Sequence, residues 1–271
     1  MSTTQNQMAA KFRAAHAPGK LLVLPNAWDV ASARVAEDAG AEAIATSSAA
    51  VAWAQGYADG EKLPKARLLQ LVGDIVRLAK VPVSADSEAG YSADIADVAT
   101  FVVALAKAGA VGINIEDGTL PPSVLVDKIK AIKQACVREG VDVFVNARTD
   151  VYLKALVPAE QAMDETLARG KLYAQAGADG LFVPGLVDAA GYRKVVDAID
   201  LPINALIWPK LPDAATLKDA GVRRISAGAS TARAAMGAMR RATVALLKEG
   251  RYDVMNTEAE GCPNLNALMT P

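Results

Sequence analysis

Acidic side chains follow three neighbouring strand candidates of this chain. Asp59 lies in the loop after the second candidate, Asp86 and Glu88 follow the third, and Glu116 follows the fourth. Carboxylates gathered in one place raise one another's pKa values unless a cation lies among them. Mg²⁺ and Mn²⁺ prefer such oxygen ligands, and Mg²⁺ usually retains several of its waters. We therefore predict a Mg²⁺ or Mn²⁺ site in which Asp86, directly at its strand end, binds the ion and Asp59, Glu88 and Glu116 act through bound water.

Hydrogen-bond donors accompany these carboxylates. Ser47, Ser48 and Ala49 follow the second strand candidate, and Arg148 follows the fifth. A guanidinium group presents a planar fork that binds a carboxylate through two parallel hydrogen bonds, so Arg148 is a candidate for binding a substrate carboxylate. A structural role is the alternative for each residue, because an acidic residue after a strand often caps a helix and serines are common in turns.

Eight short apolar segments alternate with longer amphipathic segments that are typical of helices. The strand candidates are residues 21–25, 43–46, 81–85, 111–115, 143–147, 180–183, 203–207 and 224–226. The helix candidates are residues 29–39, 65–80, 95–108, 124–139, 159–176, 189–198, 214–220 and 230–248. The segments AGAEAIA, AGAVGIN and AGADGLF repeat a helix end that is followed by a strand. Eight such units in about 230 residues match a (β/α)8 TIM barrel, whose chemistry lies at the carboxyl ends of its strands.

We expect a single domain over residues 1–271. It would consist of an N-terminal helical segment at 1–19, the barrel at 20–228 and a C-terminal helical extension at 229–271. A doubly wound sheet is disfavoured because no glycine-rich fingerprint follows an early strand.

The composition excludes several classes of protein. With 29 basic and 30 acidic side chains, a net charge of −1 and no basic block, we expect no nucleic acid or anionic membrane as a partner. No apolar run approaches the roughly 18–20 residues that a membrane helix needs, and no apolar signal segment is visible, so we expect a cytoplasmic protein. The one histidine, His16, is expected at the surface, and Cys136 is expected to pack within a helix. Arg233, Arg240 and Arg241 are expected on solvated or subunit-contact faces of the last helix.

Several segments of the chain resemble the isocitrate lyase and phosphoenolpyruvate mutase superfamily. They are LPNAWDVASARVAEDAGAEAIATSSA, GYAD, VPVSADSEAGY, AGAVGINIEDG and VNARTD, and a closing LNAL extends the resemblance over nearly the whole chain. The most specific parts are the Asp-x-Glu-x-Gly-Tyr motif and the Ile-Glu-Asp sequence. The resemblance implies a Mg²⁺-dependent enzyme that makes or breaks a C–C or P–C bond next to a 2-oxo acid, through a pyruvate-like enolate.

The resemblance also implies roles for individual residues. The implied metal set is Asp86 in direct contact, with Asp59, Glu88 and Glu116 holding the water shell. The implied substrate-binding set is Ser47, Ser48, Ala49, Asp86, Arg148 and Asn204, in which the backbone amides of residues 47–49 bind the oxo acid end. The implied catalytic set is Asp59, Glu116 and Arg148. A homo-oligomer, dimeric or tetrameric with the last helix exchanged between subunits, is implied as well.

The chain departs from the superfamily pattern at three places. The gating loop that carries Lys-Lys-Cys-Gly-His in the lyases is missing, since only residues 118–123 separate Ile-Glu-Asp from the next helix candidate. Pro184 stands where the lyases have a glutamate and the mutases a histidine. Leu206 stands where the lyases have an asparagine, with Asn204 two residues earlier. Isocitrate and methylisocitrate need that machinery for cleavage, so they are disfavoured as substrates.

We therefore expect a carbon–carbon lyase or decarboxylase for a small 2-oxo or 2-hydroxy di- or tricarboxylic acid. Two alternatives remain open. One is a P–C bond enzyme of the phosphonopyruvate hydrolase or mutase type. The other is a protein that binds Mg²⁺ and an oxo acid without turnover, since loss of the gating loop would disable catalysis while sparing binding.

Overall fold

Nine short parallel strands form the centre of the computed structural model, which describes residues 4–270. They are β1 (Leu22–Leu24), β2 (Asn26–Ala27), β3 (Ile44–Thr46), β4 (Val83–Asp86), β5 (Gly112–Glu116), β6 (Phe144–Arg148), β7 (Gly180–Phe182), β8 (Ile203–Leu206) and β9 (Arg224–Ser226). Hydrogen bonding runs in the order β1-β9-β8-β7-β6-β5-β4-β3-β2. Since only Pro25 separates β1 from β2, the two ends of this order are one bent strand and the sheet closes into a ring. The predicted (β/α)8 barrel is confirmed.

The bend at Pro25 lets one segment pair with both of its neighbours. β1 pairs with β9, whereas β2 pairs with β3. Proline has no N–H for a ladder hydrogen bond, which favours a break at this position. Its carbonyl group still accepts a hydrogen bond from the Ala45 N–H, at 3.3 Å. The first predicted strand, 21–25, therefore continues further along the chain than expected.

Helices surround the ring and connect its strands. They are α1 (Thr4–Ala15), α2 (Val30–Asp38), α3 (Ser48–Ala54), α4 (Lys65–Leu78), α5 (Ile95–Lys107), α6 (Pro122–Glu139), α7 (Ala162–Ala176), α8 (Ala189–Ala198), α9 (Ala214–Asp219), α10 (Ser230–Glu249), α11 (Asp253–Glu258) and α12 (Leu265–Leu268). A 3₁₀ turn, Ala159–Gln161, leads into α7. The eight predicted helices are all present. Helix α3, directly after β3, occupies a segment that was predicted as a loop.

The sequence of α5 illustrates why these connecting segments are helical. Asp94 caps the helix, because its carboxylate accepts a hydrogen bond from the Ala96 N–H at 2.8 Å. Val98, Val102 and Leu105 recur at helical spacing and are fully buried against the barrel. Most of the connecting helices likewise begin at a side-chain cap and bury apolar residues against the barrel. The loops after the strands are not needed for this packing and can carry polar residues.

Helix α1 closes the amino-terminal end of the barrel. The His16 ring, just after this helix, stacks on Phe144 with 4.4 Å between ring centroids, and Phe12 meets Phe144 edge to face at 5.5 Å. His16 is only 3% exposed, so its prediction as a surface residue is wrong. Although α1 contains many polar residues, it also has an apolar face on which Ala9 and Phe12 are buried. Burial, together with the nearby charge of Arg224, lowers the pKa of His16 to about 3.

Two other expectations bear on the outer helices. Cys136 is buried on α6, as predicted. None of the helices that residues 4–270 form is long and apolar enough to cross a membrane.

Candidate active site

A cavity of about 440 Å³ opens at the carboxyl ends of the strands. Its polar lining consists of Asn26, Ser47, Ser48, Asp59, Asp86, Asn114, Arg148, Ser226, Ser230 and Arg233. Its larger apolar lining residues are Trp53, Leu153, Phe182, Leu206, Ile207, Trp208 and Pro209. Most residues of the predicted site therefore surround one cavity, at the face of the barrel where the sequence predicted it.

Asp86 ends β4 and forms part of the cavity floor. The Thr46 hydroxyl accepts a hydrogen bond from the Asp86 N–H at 2.8 Å, and the Ser48 N–H donates to Asp86 Oδ2 at 3.1 Å. Oδ1 of the same carboxylate is buried and has no hydrogen-bond partner among the described residues. A buried carboxylate oxygen without a donor is unfavourable unless a ligand supplies positive charge. Asp86 is therefore held in place with one oxygen left for a ligand.

Residues 47–49 form the start of α3 and line the same cavity. Ser47 caps this helix, since its hydroxyl accepts a hydrogen bond from the Ala50 N–H at 3.5 Å. The backbone N–H of Ser47 donates to the Ala27 carbonyl group, and that of Ser48 donates to Asp86. The first N–H groups of a helix have no intrahelical acceptor. Of the three backbone amides in the predicted substrate-binding set, only that of Ala49 thus remains for a ligand.

Arg148 ends β6 and carries two ion pairs. Its Nη1 lies 2.6 Å from Glu116 Oε2, and its Nε lies 2.6 Å from Asp150 Oδ1. Lys154 pairs with the other oxygen of Asp150 at 2.9 Å. These contacts fix the plane of the guanidinium group, and its Nη2 has no hydrogen-bond partner in residues 4–270. Nη2 is the nitrogen available to an anion in the cavity.

Glu116 and Glu88 flank the cavity but do not line it. Burial raises the pKa of Glu116 to about 8, although the Arg148 guanidinium opposes that rise. Glu88 accepts hydrogen bonds from the Tyr91 hydroxyl at 2.7 Å and from the Glu61 N–H at 2.6 Å, and burial raises its pKa as well. Within the described residues, no three Asp, Glu, His or Cys side chains meet closely enough to hold an ion among them. Direct binding of one ion by several carboxylates is thus not prearranged, and of the two carboxylates that line the cavity, Asp86 and Asp59, only Asp86 has a buried oxygen without a hydrogen-bond partner among the described residues.

The loop after β4 has an unusual backbone that orients Glu88. Glu88 and Tyr91 have φ values of 47° and 58°, in the left-handed region that non-glycine residues rarely occupy. Such conformations persist where surrounding contacts enforce them, and they concentrate at functional sites. The hydrogen bond from the Tyr91 hydroxyl to Glu88 closes this loop on itself.

Two residues of the predicted site lie in different surroundings. Asp59 is exposed at the rim of the cavity and makes no hydrogen bond or ion pair with another described residue. Asn204 is buried in the barrel interior, where its amide exchanges hydrogen bonds with the Ser226 hydroxyl at 3.1 and 3.2 Å. Asn204 is absent from the cavity lining, while Ser226 is part of it.

Sequence reasoning missed three groups that the structure brings to the site. Asn114, on β5 and the direct register partner of Asp86 on β4, lines the cavity floor. Arg233, predicted on a solvated or subunit-contact face of the last helix, also lines the cavity from the first turn of α10. Trp208 belongs to the loop after β8, and this part of the loop lacks the polar side chains that suggest a functional site in a sequence. Each of the three lies within or after a barrel strand, and this position is the sequence feature that could have identified it.

Asp117, the acidic residue beside Glu116, has a structural role. Its carboxylate accepts hydrogen bonds from Arg169 at 2.8 Å, from the Tyr173 hydroxyl at 2.6 Å and from the Asp150 N–H at 2.9 Å. Its own N–H donates to the Arg148 carbonyl group at 3.2 Å. Asp117 therefore joins α7 to the ends of β5 and β6 and supports the arginine of the cavity.

Several known proteins are similar to this chain in sequence and fold. The sequence model of phosphoenolpyruvate phosphomutase matches residues 12–247. A solved structure from Burkholderia cenocepacia J2315, provisionally described as a phosphonomutase, shares 44% identity and superposes with a TM-score of 0.83, covering 87% of this chain and 98% of that one. An oxaloacetate decarboxylase of Pseudomonas aeruginosa is 29% identical over 257 residues, which are 92% of this chain and 87% of the relative. The structure of 2,3-dimethylmalate lyase shares 28% identity at a TM-score of 0.81, covering 97% of this chain and 92% of that one.

Proposed function

The chain belongs to the phosphoenolpyruvate mutase and isocitrate lyase superfamily, and we propose that it is a cytoplasmic, Mg²⁺-dependent carbon–carbon lyase for a small 2-oxo or 2-hydroxy dicarboxylic acid. The observation that carries this proposal is the cavity floor. There Asp86 presents a buried carboxylate oxygen without a donor, and Arg148 presents a free guanidinium nitrogen. A site for a cation thus lies beside a site for an anion, as an oxo acid requires.

The donor set of the cavity fits a hard divalent cation. Asp86 would hold Mg²⁺ directly, and Asp59, Glu88 and Glu116 would hold its waters, since they surround Asp86 without converging on one point. The only histidine lies at the opposite end of the barrel, so the ligands are all oxygens. When bound, a divalent ion supplies Lewis-acid stabilisation of negative charge on the oxygen of an enolate.

The side chains and backbone of the cavity supply the remaining steps. Arg148, held in one orientation by Glu116 and Asp150, binds a substrate carboxylate through Nη2. The Ala49 N–H donates to an oxygen on which negative charge develops when the C–C bond breaks and its electron pair enters the enolate. Asp59 is the cavity carboxylate without a partner in the described chain, and its Oδ atoms can accept the proton of a substrate hydroxyl group.

The lining also favours a dicarboxylate over a tricarboxylate. Arg148 and Arg233 are the only cationic side chains among the lining residues that the structure describes. The side of the cavity formed by residues 206–209 presents Leu, Ile, Trp and Pro, whose side chains give no hydrogen-bond donor beyond the Trp208 indole. A third carboxylate would lose its hydration without a cation in return, which is unfavourable. Oxaloacetate decarboxylase and 2,3-dimethylmalate lyase, two of the relatives, are named for substrates with two carboxylates.

The test is turnover of a substrate panel by the purified protein with Mg²⁺. The panel contains oxaloacetate, substituted malates, methylisocitrate, isocitrate and phosphonopyruvate, and the readout is release of the oxo acid product. We expect turnover of one small diacid that is lost in Asp86→Ala and on removal of Mg²⁺ with a chelator. Asp127→Ala, a change of an exposed aspartate on α6, is the matched control and should retain activity.

Three outcomes would contradict the proposal. Turnover that survives Asp86→Ala would place the chemistry elsewhere. Turnover of phosphonopyruvate alone would favour the P–C bond alternative. Mg²⁺-dependent binding of oxo acids without turnover of any compound would favour the non-catalytic alternative.

A further inference from the structure

Arg224 is a fully buried cation in the interior of the barrel. It is 1% exposed, lies on β9 and reaches across the interior to β5. Its Nε donates to the Ser226 hydroxyl at 3.2 Å and its Nη2 donates to Asn114 Oδ1 at 3.3 Å, whereas Nη1 has no partner among the described residues. No carboxylate of residues 4–270 forms an ion pair with it. Burying such a charge is costly, so the group needs a reason beyond packing.

The contact with Arg224 fixes the orientation of the Asn114 amide. The two ends of an asparagine amide are hard to distinguish by shape, and their assignment depends on their partners. A guanidinium group can only donate, so the atom of Asn114 that faces Arg224 must be the oxygen. The same oxygen accepts from Asn146 Nδ2 at 2.8 Å. With Oδ1 engaged twice in the interior, Nδ2 is the end of Asn114 left for the cavity.

Asn114 and Asp86 lie side by side on neighbouring strands. The two residues are direct partners in the register of β4 and β5, and both line the cavity floor. Asn114 Nδ2 makes no hydrogen bond to another residue of the described chain, and Asp86 Oδ1 makes none either. A donor and an acceptor on paired residues of neighbouring strands, neither of them with a partner in the described chain, are both available to a group bound in the cavity.

We propose that Asn114 binds the substrate by donating an Nδ2 hydrogen bond to its oxygen nearest Asp86, and that Arg224 is a positioning residue that holds Asn114 in this orientation. The inference rests on the proposed function, because it assumes an oxo acid in this cavity. It identifies the ligand group as an oxygen that accepts a hydrogen bond, such as a keto, enolate or carboxylate oxygen. Because an amide does not titrate near neutral pH, this donor remains constant while the charges around it change.

The experiment measures binding of oxalate, a planar dianion that resembles the enolate of pyruvate, by calorimetry in the presence of Mg²⁺. Asn114→Asp keeps the oxygen that Arg224 and Asn146 bind and replaces only the Nδ2 donor. We expect oxalate affinity to fall by about 10- to 100-fold in this variant and in Asn114→Ala, as for loss of a hydrogen bond to a charged acceptor. Affinity for Mg²⁺ alone should not fall in Asn114→Asp, which adds negative charge. Ser84→Ala removes a buried hydroxyl that has no partner from the same strand as Asp86 and is the matched control.

The role of Arg224 is tested by combining variants. Arg224→Met, which removes a buried charge, should weaken oxalate binding in the wild-type background and have no further effect in the Asn114→Ala background. Arg224→Lys, which keeps a donor for Asn114, should restore part of the affinity. A crystal structure with oxalate and Mg²⁺ should place an oxalate oxygen within about 3.2 Å of Asn114 Nδ2.

The outcomes separate this inference from the proposed function. A wild-type protein that binds no oxalate overturns the proposed function and the inference with it. Wild-type binding that survives both Asn114 variants unchanged overturns the inference alone. Equal losses from Arg224→Met in the presence and absence of Asn114 would show that Arg224 does not act through Asn114.

Discussion

Arg148 is the residue of the cavity whose geometry is most tightly constrained. Its two ion pairs, with Glu116 and Asp150, engage Nη1 and Nε, fix the orientation of the planar guanidinium group and leave Nη2 for a ligand. Lysine keeps the charge but has no planar fork, so it cannot keep both pairs and also bind a substrate carboxylate. We therefore expect Arg148→Lys to lower kcat/KM by about 10- to 100-fold in steady-state kinetics, the loss of a charge-assisted hydrogen bond.

Arg233→Lys is the comparison for that prediction. Arg233 is exposed and has no ion pair in the described chain, so a point charge at the cavity rim can replace it. We expect it to change KM by less than about threefold, in keeping with the small effect of exposed charges. Equal effects of the two lysine variants would refute the distinction.

His16 makes the stability of the protein depend on pH. Its pKa is lowered to about 3 in the folded state, against an ordinary value of 6.5. Below pH 6.5 the unfolded chain therefore takes up a proton that the folded chain does not, and stability falls as the pH falls toward 3. From this single group we expect a loss of about 2 kcal/mol between pH 7.5 and pH 5, which His16→Phe removes.

Urea unfolding of the two proteins at both pH values measures this effect. Wild type and variant contain the same carboxylates, so the pH dependence that the carboxylates cause cancels in the difference. The substitution removes the one histidine of the chain. A difference in unfolding free energy between wild type and His16→Phe that is the same at pH 5 and pH 7.5 would disprove the prediction.

The residues that sequence reasoning found and missed differ in their place on the strands. Asp86 and Arg148 are the last residues of β4 and β6, where a barrel places its chemistry, and both line the cavity. Asn114 and Arg224 point into the interior from within or at the start of their strands, positions that normally hold aliphatic side chains. Only the three-dimensional contact between them reveals that one orients the other.

At the scale of elements, sequence periodicity identified the long helices and buried strands but not the short pieces. Helix α3 has only 7 residues, and its signal, a serine cap before an alanine-rich segment, was read as a turn. The break at Pro25 was also missed, because pairing with two different neighbours is not encoded in the local pattern. Both features adjoin the cavity, where function sets the local backbone more than propensity does.

The glycines that follow the helices offer a test of how helix ends pack on the barrel. Gly109 has a φ of 105°, and a Cβ atom there would lie 2.4 Å from Val76 Cγ1 on the neighbouring α4. Gly40 has a φ of 95° but no atom within 4 Å of its Cβ position, so it is a matched control for backbone strain alone. We expect Gly40→Ala to cost about 1–2 kcal/mol of unfolding free energy and Gly109→Ala about 1–3 kcal/mol more.

Chemical denaturation of the two single variants and of Gly109→Ala/Val76→Ala separates strain from overlap. The second substitution removes the side chain that the new methyl group meets, so the double variant should recover the overlap part of the loss. Equal losses of unfolding free energy at Gly40 and Gly109 would mean that Val76 moves away from the new methyl group without further destabilising the protein.

At the scale of the molecule, the repeated units made the closed barrel predictable, while the arrangement of subunits remains a prediction. Helix α10 carries a stripe of exposed apolar side chains on one side, with Met236, Met239, Leu246 and Leu247 at 48, 66, 40 and 77% exposure. At 3.6 residues per turn, these four positions fall on one side of the helix. Apolar patches of this kind mark interaction surfaces. This face fits the homo-oligomer that the superfamily resemblance implies.

We expect the purified protein to have a mass that is a multiple, two- or fourfold, of the 28.2 kDa chain in light scattering coupled to size exclusion. Met239→Asp/Leu247→Asp should shift it to the monomer, because a carboxylate buried in an apolar interface loses its hydration without compensation. Val137→Asp, at an 81% exposed apolar residue on α6, is the control and should leave the mass unchanged. A monomeric wild type, or a double variant that still associates, would contradict this prediction.

The same variant connects assembly to the cavity. Arg233 lies in the first turn of α10 and lines the cavity, so a subunit contact along the rest of this helix would also help to position that arginine. If subunits pack on the apolar face of α10, the monomeric variant should bind a dicarboxylate substrate more weakly and show a higher KM, while turnover at saturation changes less. An unchanged KM in the monomer would mean that each barrel holds α10 and Arg233 in place by itself.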